Sequence, residues 1–135
     1  MARREAPMTK AVIAVWEPEP YWVPELQRTL AELDVRIAGC LRERDVVEWL
    51  ADGAGQLVVA LPCEEQLPLP ALANWVQQGV QVHIVLNSSH EALRWFLCEL
   101  GIASVLSLDE AREHLPRRVR RATGLVPSSV RTTSR

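Results

Sequence analysis

QLVVAL (56–61) and VQVHIVL (80–86) decide the fold of this chain. Both are nearly continuous in Val, Ile, Leu and Ala. A strand with one wet face alternates apolar and polar side chains, whereas a strand covered on both faces has no need to. These two runs therefore read as central strands of a parallel sheet with helices on either side. KAVIAVW (10–16) has the same character, and VRIAGC (35–40) and ASVLSL (103–108) complete a series of five.

The intervening segments carry helical spacing. Leu26, Leu30 and Leu33 share one face of the first; Val46, Val47 and Leu50 mark the second, and Leu72 and Val76 the third. Leu93, Phe96, Leu97 and Leu100 form the apolar stripe expected of the fourth. Gly53 and Gly55, Gly79 and Gly101 close the second, third and fourth helices, where left-handed backbone is wanted. Ser88 with Glu91 reads as a capping box opening the fourth. Pro116 predicts that the last helix either kinks there or starts near it. Strand–helix alternation repeated five times predicts a three-layer (βα)5 sandwich with right-handed crossovers.

With 135 residues, 48% hydrophobic and 24% charged, the chain has the composition of one globular domain. No apolar run approaches the ~20 residues that span a bilayer, and MARREAP (1–7) lacks the apolar core of a secretory signal. Three cysteines (Cys40, Cys63, Cys98) are too few and too irregular for a disulfide framework, so a reducing cytoplasm is the expected compartment. Cys40 and Cys98 read as small buried or half-buried hydrophobes. Residues 1–111 carry eight basic against sixteen acidic side chains, and residues 112–135 seven arginines against one glutamate. The body is acidic and its C-terminal end basic. The six glycines form neither a GxGxxG nor a Walker pattern, so no nucleotide cofactor is expected.

MTKAVIAVWEPEP (8–20) resembles the opening of response-regulator receiver domains, MTKILIVDDEPE, without a gap and with Lys10, Glu17, Pro18 and Glu19 retained. QLVVALP (56–62) is similar to the family's third-strand segment DLVLLDxxMP, and GIASVLSLDE (101–110) to GADDYLxKPF. The resemblance covers residues 8–123, with 1–7 as an extension and 124–135 expected from composition to be a disordered tail. It implies the flavodoxin-like strand order 2-1-3-4-5. It also implies a phosphorylation pocket, and carried over position by position that pocket is degenerate. The cation-binding acidic pair becomes Val15 and Trp16, the phosphoacceptor Asp becomes Leu61, the hydroxyl position Asn87, and the responding lysine Leu108. Phosphoryl transfer needs an in-line nucleophile and a cation on the transferring oxygens, and Leu61 with Val15 and Trp16 supplies neither. Trp16 is expected to fill the space of the lost carboxylates.

The expected function is that of a pseudo-receiver: a non-catalytic, phosphorylation-independent interaction module in bacterial signalling. Receivers meet partners through the fourth helix, fifth strand and fifth helix, and there Trp95 stands between Arg94 and Phe96. Trp95 with Arg94 and Glu91 reads as an interface anchor, or as an indole lying flat on its own domain. RRVRR (117–121), with Arg117 and Arg118, either sets the electrostatic preference of that face or is a solvated helix end. The partner is expected to be a histidine kinase, a response regulator or a second copy, a homodimer being compatible with the family. Nucleic acid and membrane are not expected partners. The alternative is a flavodoxin-like ligand- or metal-binding protein using Cys63, His90, Glu17 and Glu19, with Glu64 and Glu65, over the C-terminal edge of the sheet. His83, inside the fourth strand, reads as a packed, hydrogen-bonded residue.

Overall fold

The computed structural model describes residues 11–124. The readings of residues 1–7 and 125–135 lie outside the described residues. Five strands, β1 (Ala11–Trp16), β2 (Val35–Cys40), β3 (Gln56–Val59), β4 (Gln81–Leu86) and β5 (Ser104–Ser107), form one parallel sheet in the order 2-1-3-4-5. They alternate with α1 (Trp22–Thr29), α2 (Glu43–Ala51), α3 (Leu69–Gln77), α4 (Arg94–Leu100) and α5 (Leu108–Thr123). The fold is thus the expected α/β sandwich with a receiver-like sheet.

Two cores follow from the two faces of the strands. Ala14, Trp16, Leu57, Val59, Val82 and Ile84 pack with Val46, Leu72, Trp75 and Leu97 of α2, α3 and α4. Ile13, Val15, Val58, Val85 and Leu106 pack with Trp22 and Leu26 of α1 and with Ala111, Leu115 and Val119 of α5. Among the described residues, no helix is long and apolar enough to cross a membrane.

Local details correct several expectations. Val47 and Phe96 are exposed, so the second and fourth apolar stripes are narrower than their sequences suggest. The segment after β4 is a 3₁₀ helix, Ser88–Leu93, and its N-cap is Asn87, whose side chain accepts from the Ser89 amide, in place of a Ser88–Glu91 box. A capping box does occur at Ser107 and Glu110, opening α5. Gly53, Gly79 and Gly101 have positive φ, but Gly55 does not. Pro116 lies inside α5, which begins at Leu108, so the helix does not start at the proline.

Candidate functional site

The strands are parallel, so their C-terminal ends share one edge, and a cavity of about 580 Å³ opens there. Leu61, Asn87 and Leu108 line it, together with Trp22, Ala60 and Val85. Three of the five positions expected in the degenerate pocket are therefore neighbours. Val15 and Trp16 are not among its lining residues. Val15 is fully buried in the α1/α5 core, and Trp16, one residue on, alternates onto the opposite face and packs beside Cys40 and Leu61. The aromatic at the cavity is Trp22, buried at the start of α1 and edge-to-face with Tyr21. Trp16 thus packs in the core under α2, α3 and α4 and not along the cavity.

Glu17, the first residue past β1, is only 5% exposed. Its two carboxylate oxygens each accept a backbone amide, from Trp22 and from Val23, both at 2.9 Å. Pro24 has no N–H, and the Glu25 amide donates to the Tyr21 carbonyl. The first turn of α1 is therefore fully accounted for, and the negative charge sits at the positive end of the helix. Glu17 is a capping group and not a free ligand. Sequence reasoning missed this role; the signal was an acid shortly upstream of a proline in a helix's first turn.

The segment Asn87–His90 closes the edge on the side of α3. Asn87 Nδ2 donates to the Leu61 carbonyl (2.8 Å), Ser89 Oγ to that of Cys63 (2.9 Å), and His90 Nε2 to that of Glu65 (2.7 Å). Three side chains hold three alternate carbonyls, so the loop after β3 is stitched to the turn after β4. Asn87 Oδ1 accepts from the Ser89 amide, and the single Ser89 hydroxyl proton is shared between this oxygen (2.7 Å) and the Cys63 carbonyl.

His90, 4% exposed, lines a second cavity of about 450 Å³ with Cys63, Glu64 and Glu65. Because Nε2 must carry the proton to reach Glu65, Nδ1 is a lone pair, and no protein donor within the described residues meets it. The Cys63 sulfur, although exposed, is not within hydrogen-bonding reach of that nitrogen. Among the described residues, no three His, Cys, Asp or Glu side chains are grouped to hold a metal ion. The proposed set of Glu17, Glu19, Cys63 and His90 therefore forms no metal centre there, in part because Glu17 is committed to α1. Cys40 is buried as expected, and burial, with Asp45 nearby, pushes its thiol up to about 11. Cys98 is exposed, against expectation.

On α4, Trp95 is 75% and Phe96 47% exposed, making two adjacent large aromatics without cover. Arg94 is not free beside them. Its guanidinium donates to both oxygens of Glu91 (3.1 and 2.8 Å), to the Val105 carbonyl (3.1 Å) and to Glu110 (3.4 Å). These bonds hold the Glu91 carboxyl below its ordinary range. The Glu110 carboxyl is lowered first by the Ser107 amide and then by Arg94. Arg94 with Glu91 and Glu110 therefore braces α4 against β5 and α5. Arg117 and Arg118 lie elsewhere, around a cavity at the opposite edge of the sheet with Gln81 and Ser104.

No family model and no curated protein matches the sequence. Among solved structures, the fold is similar to a chain in a structure of two RcsB dimers bound to two parallel DNAs. That match has a TM-score of 0.63 and 11% identity, and covers 86% of this chain and 61% of that one. It is also similar to the signal receiver domain of an HD domain-containing protein from Pseudomonas fluorescens Pf-5. Here the TM-score is 0.62 and the identity 19%, with 86% of this chain and 96% of that one covered. Both likenesses are likenesses of fold.

Proposed function

We propose that this chain is a pseudo-receiver, a non-catalytic module of bacterial signal transduction that works through protein contact without being phosphorylated. One observation carries the reading. Where a receiver's phosphoacceptor would stand, the edge of the sheet presents Leu61, 5% exposed, with its carbonyl held by Asn87. The Leu61 side chain offers neither a nucleophile for a phosphoryl group nor an oxygen ligand for a cation. Trp95 and Phe96 on α4 are adjacent and exposed, and such an aromatic pair is the kind of anchor a protein interface uses. A histidine kinase, a response regulator or a second copy of the chain is the proposed partner. The appearance of RcsB as dimers in the similar structure favours measuring self-association first.

The test has two arms. Incubation with acetyl phosphate and Mg²⁺, followed by intact-mass measurement, is expected to show no phosphoryl adduct; an adduct overturns the non-catalytic reading. Sedimentation velocity over a concentration series, wild type against Trp95→Asp, probes the contact. Association that disappears in the variant supports the α4 face, whereas association unchanged by the variant removes Trp95 as its anchor.

The alternative, a ligand site at the Cys63–His90 cavity, is favoured only by the unpartnered Nδ1 of buried His90. A small hydrogen-bond donor such as phenol that raised the Tm of the wild type but not of Cys63→Ser, His90→Ala would support it, and an equal rise in both would dismiss it.

A further inference from the structure

The two edges of the sheet differ in chemistry. At the N-terminal edge, α5 crosses the beginnings of β4 and β5 and leaves a cavity of about 570 Å³, within the size range of small-molecule sites. Its floor contains His83 and Ser104, both buried, and its rim carries His114, Arg117, Arg118 and Arg121. Among the described residues, no Asp or Glu lines it.

The polar groups of the floor are fully matched to one another. Gln56 Nε2 donates to the Val119 carbonyl of α5, which directs its Oε1 toward His83 Nε2 (2.8 Å). His83 Nε2 therefore carries the proton, Nδ1 is a lone pair, and the Ser104 hydroxyl donates to it (2.8 Å). The floor is thus neutral and rigid, and burial, with Arg118 beside it, pushes His83 down to about 4.

The rim is not matched. A basic last turn is ordinary compensation for a helix dipole, and Arg120 shows what that looks like, ion-paired with Glu32 and donating to the Thr29 carbonyl. Arg117, Arg118 and Arg121 have no carboxylate within ion-pair distance among the described residues. Arg117 donates to the Glu113 carbonyl and His114 Nδ1, neither of which carries a countercharge. Three guanidinium groups thus line, without a counter-anion among the described residues, a recess in a chain whose first 111 residues are strongly acidic.

We propose that this recess between α5 and the N-terminal ends of β4 and β5 binds a small phosphate-bearing anion through Arg118 and Arg121, with Arg117 at the rim. Guanidinium groups match phosphate oxygens in geometry as well as charge. A nucleic acid is disfavoured as occupant. A polyanion needs a basic track along several phosphates, and here the charge is confined to one recess of an acidic body.

The experiment uses the full chain and sodium pyrophosphate as probe, with ionic strength held constant by sodium chloride. The Tm is expected to rise by several degrees as pyrophosphate saturates. Arg118→Gln, Arg121→Gln is expected to weaken binding at least tenfold, whereas Arg44→Gln, exposed on α2, leaves it unchanged. NMR on the wild type gives an independent reading, in which the His83 and Ser104 resonances move with the same titration. The proposal is overturned by a Tm unaffected by pyrophosphate, by an equal rise in the double variant, or by duplex DNA binding that pyrophosphate does not compete away.

Discussion

His83 lies between Val82 and Ile84 on a central strand, where a charged imidazole would be costly, and it is 1% exposed. Both ring nitrogens are matched, so the residue is tolerated as a neutral group. Its folded-state value, about 4, lies below the ordinary 6.5. As pH falls through 6.5 the unfolded chain takes up a proton that the folded chain refuses until about pH 4. Stability is therefore lost between those limits, by about 3 kcal/mol in all. Urea unfolding from pH 7.5 to 4 is expected to show that slope in the wild type and a shallower one in His83→Met. At pH 7 the variant is itself weaker by about 1–3 kcal/mol, because Gln56 and Ser104 lose their partner. Glu17 makes a second residue-scale case. Glu17→Ala leaves the Trp22 and Val23 amides without their acceptor and is expected to cost about 2 kcal/mol in thermal or urea unfolding.

At the next level up, the elements are joined by side chains whose partners lie far away in sequence. The Asn87–His90 turn holds the loop after β3 by carbonyls 25 or 26 residues away. Arg94 ties α4 to β5 and to the capping box of α5. Asn87→Ala removes the bond to Leu61 and the cap of the 3₁₀ helix together. Its expected cost is about 1–2 kcal/mol, with faster amide exchange confined to the loop over residues 61–65. Exchange that accelerated evenly over the whole sheet would contradict the stitch. Pro116 is accommodated because α5 is long and docked: Ala111, Leu115 and Val119 are all fully buried against the sheet, so tertiary packing outweighs the lost backbone bond.

For the molecule as a whole, a single parallel sheet gives two chemically distinct edges. The C-terminal edge, where ligands of such sheets usually sit, has Glu17, Asn87 and Glu91 already committed to protein partners and leaves Nδ1 of His90 unpartnered. The N-terminal edge carries the unmatched arginines. The two kinds of tryptophan separate folding from contact. Trp95→Asp is expected to leave the monomer's Tm essentially unchanged, within about 0.5 kcal/mol, because the indole is exposed. Trp22→Ala, which empties a buried position between α1 and the sheet, is expected to cost about 3–5 kcal/mol. A large Tm loss in Trp95→Asp would show that its indole supports the domain itself.

The order and type of elements could be read from the chain because each depends on a local pattern. Continuous Val, Ile and Leu in residues 57–59 and 84–86 needs cover on both faces, and Leu26 with Leu30 repeats at the helical period. That residue 61 is a leucine and no acid was legible too, since residue identity needs no coordinates. The destination of each polar side chain was not legible. Glu17 looked like a free acid and is a cap; His90 looked like an edge ligand and is a buried clamp; Arg94 looked like an interface charge and is a brace. Trp16 and Val15 looked like pocket residues, but strand alternation sends them to opposite cores. Such outcomes are set by which groups the packed fold brings within about 3 Å of one another. Gln56 meets the carbonyl of Val119 across 63 residues, and no local pattern in either segment records that meeting.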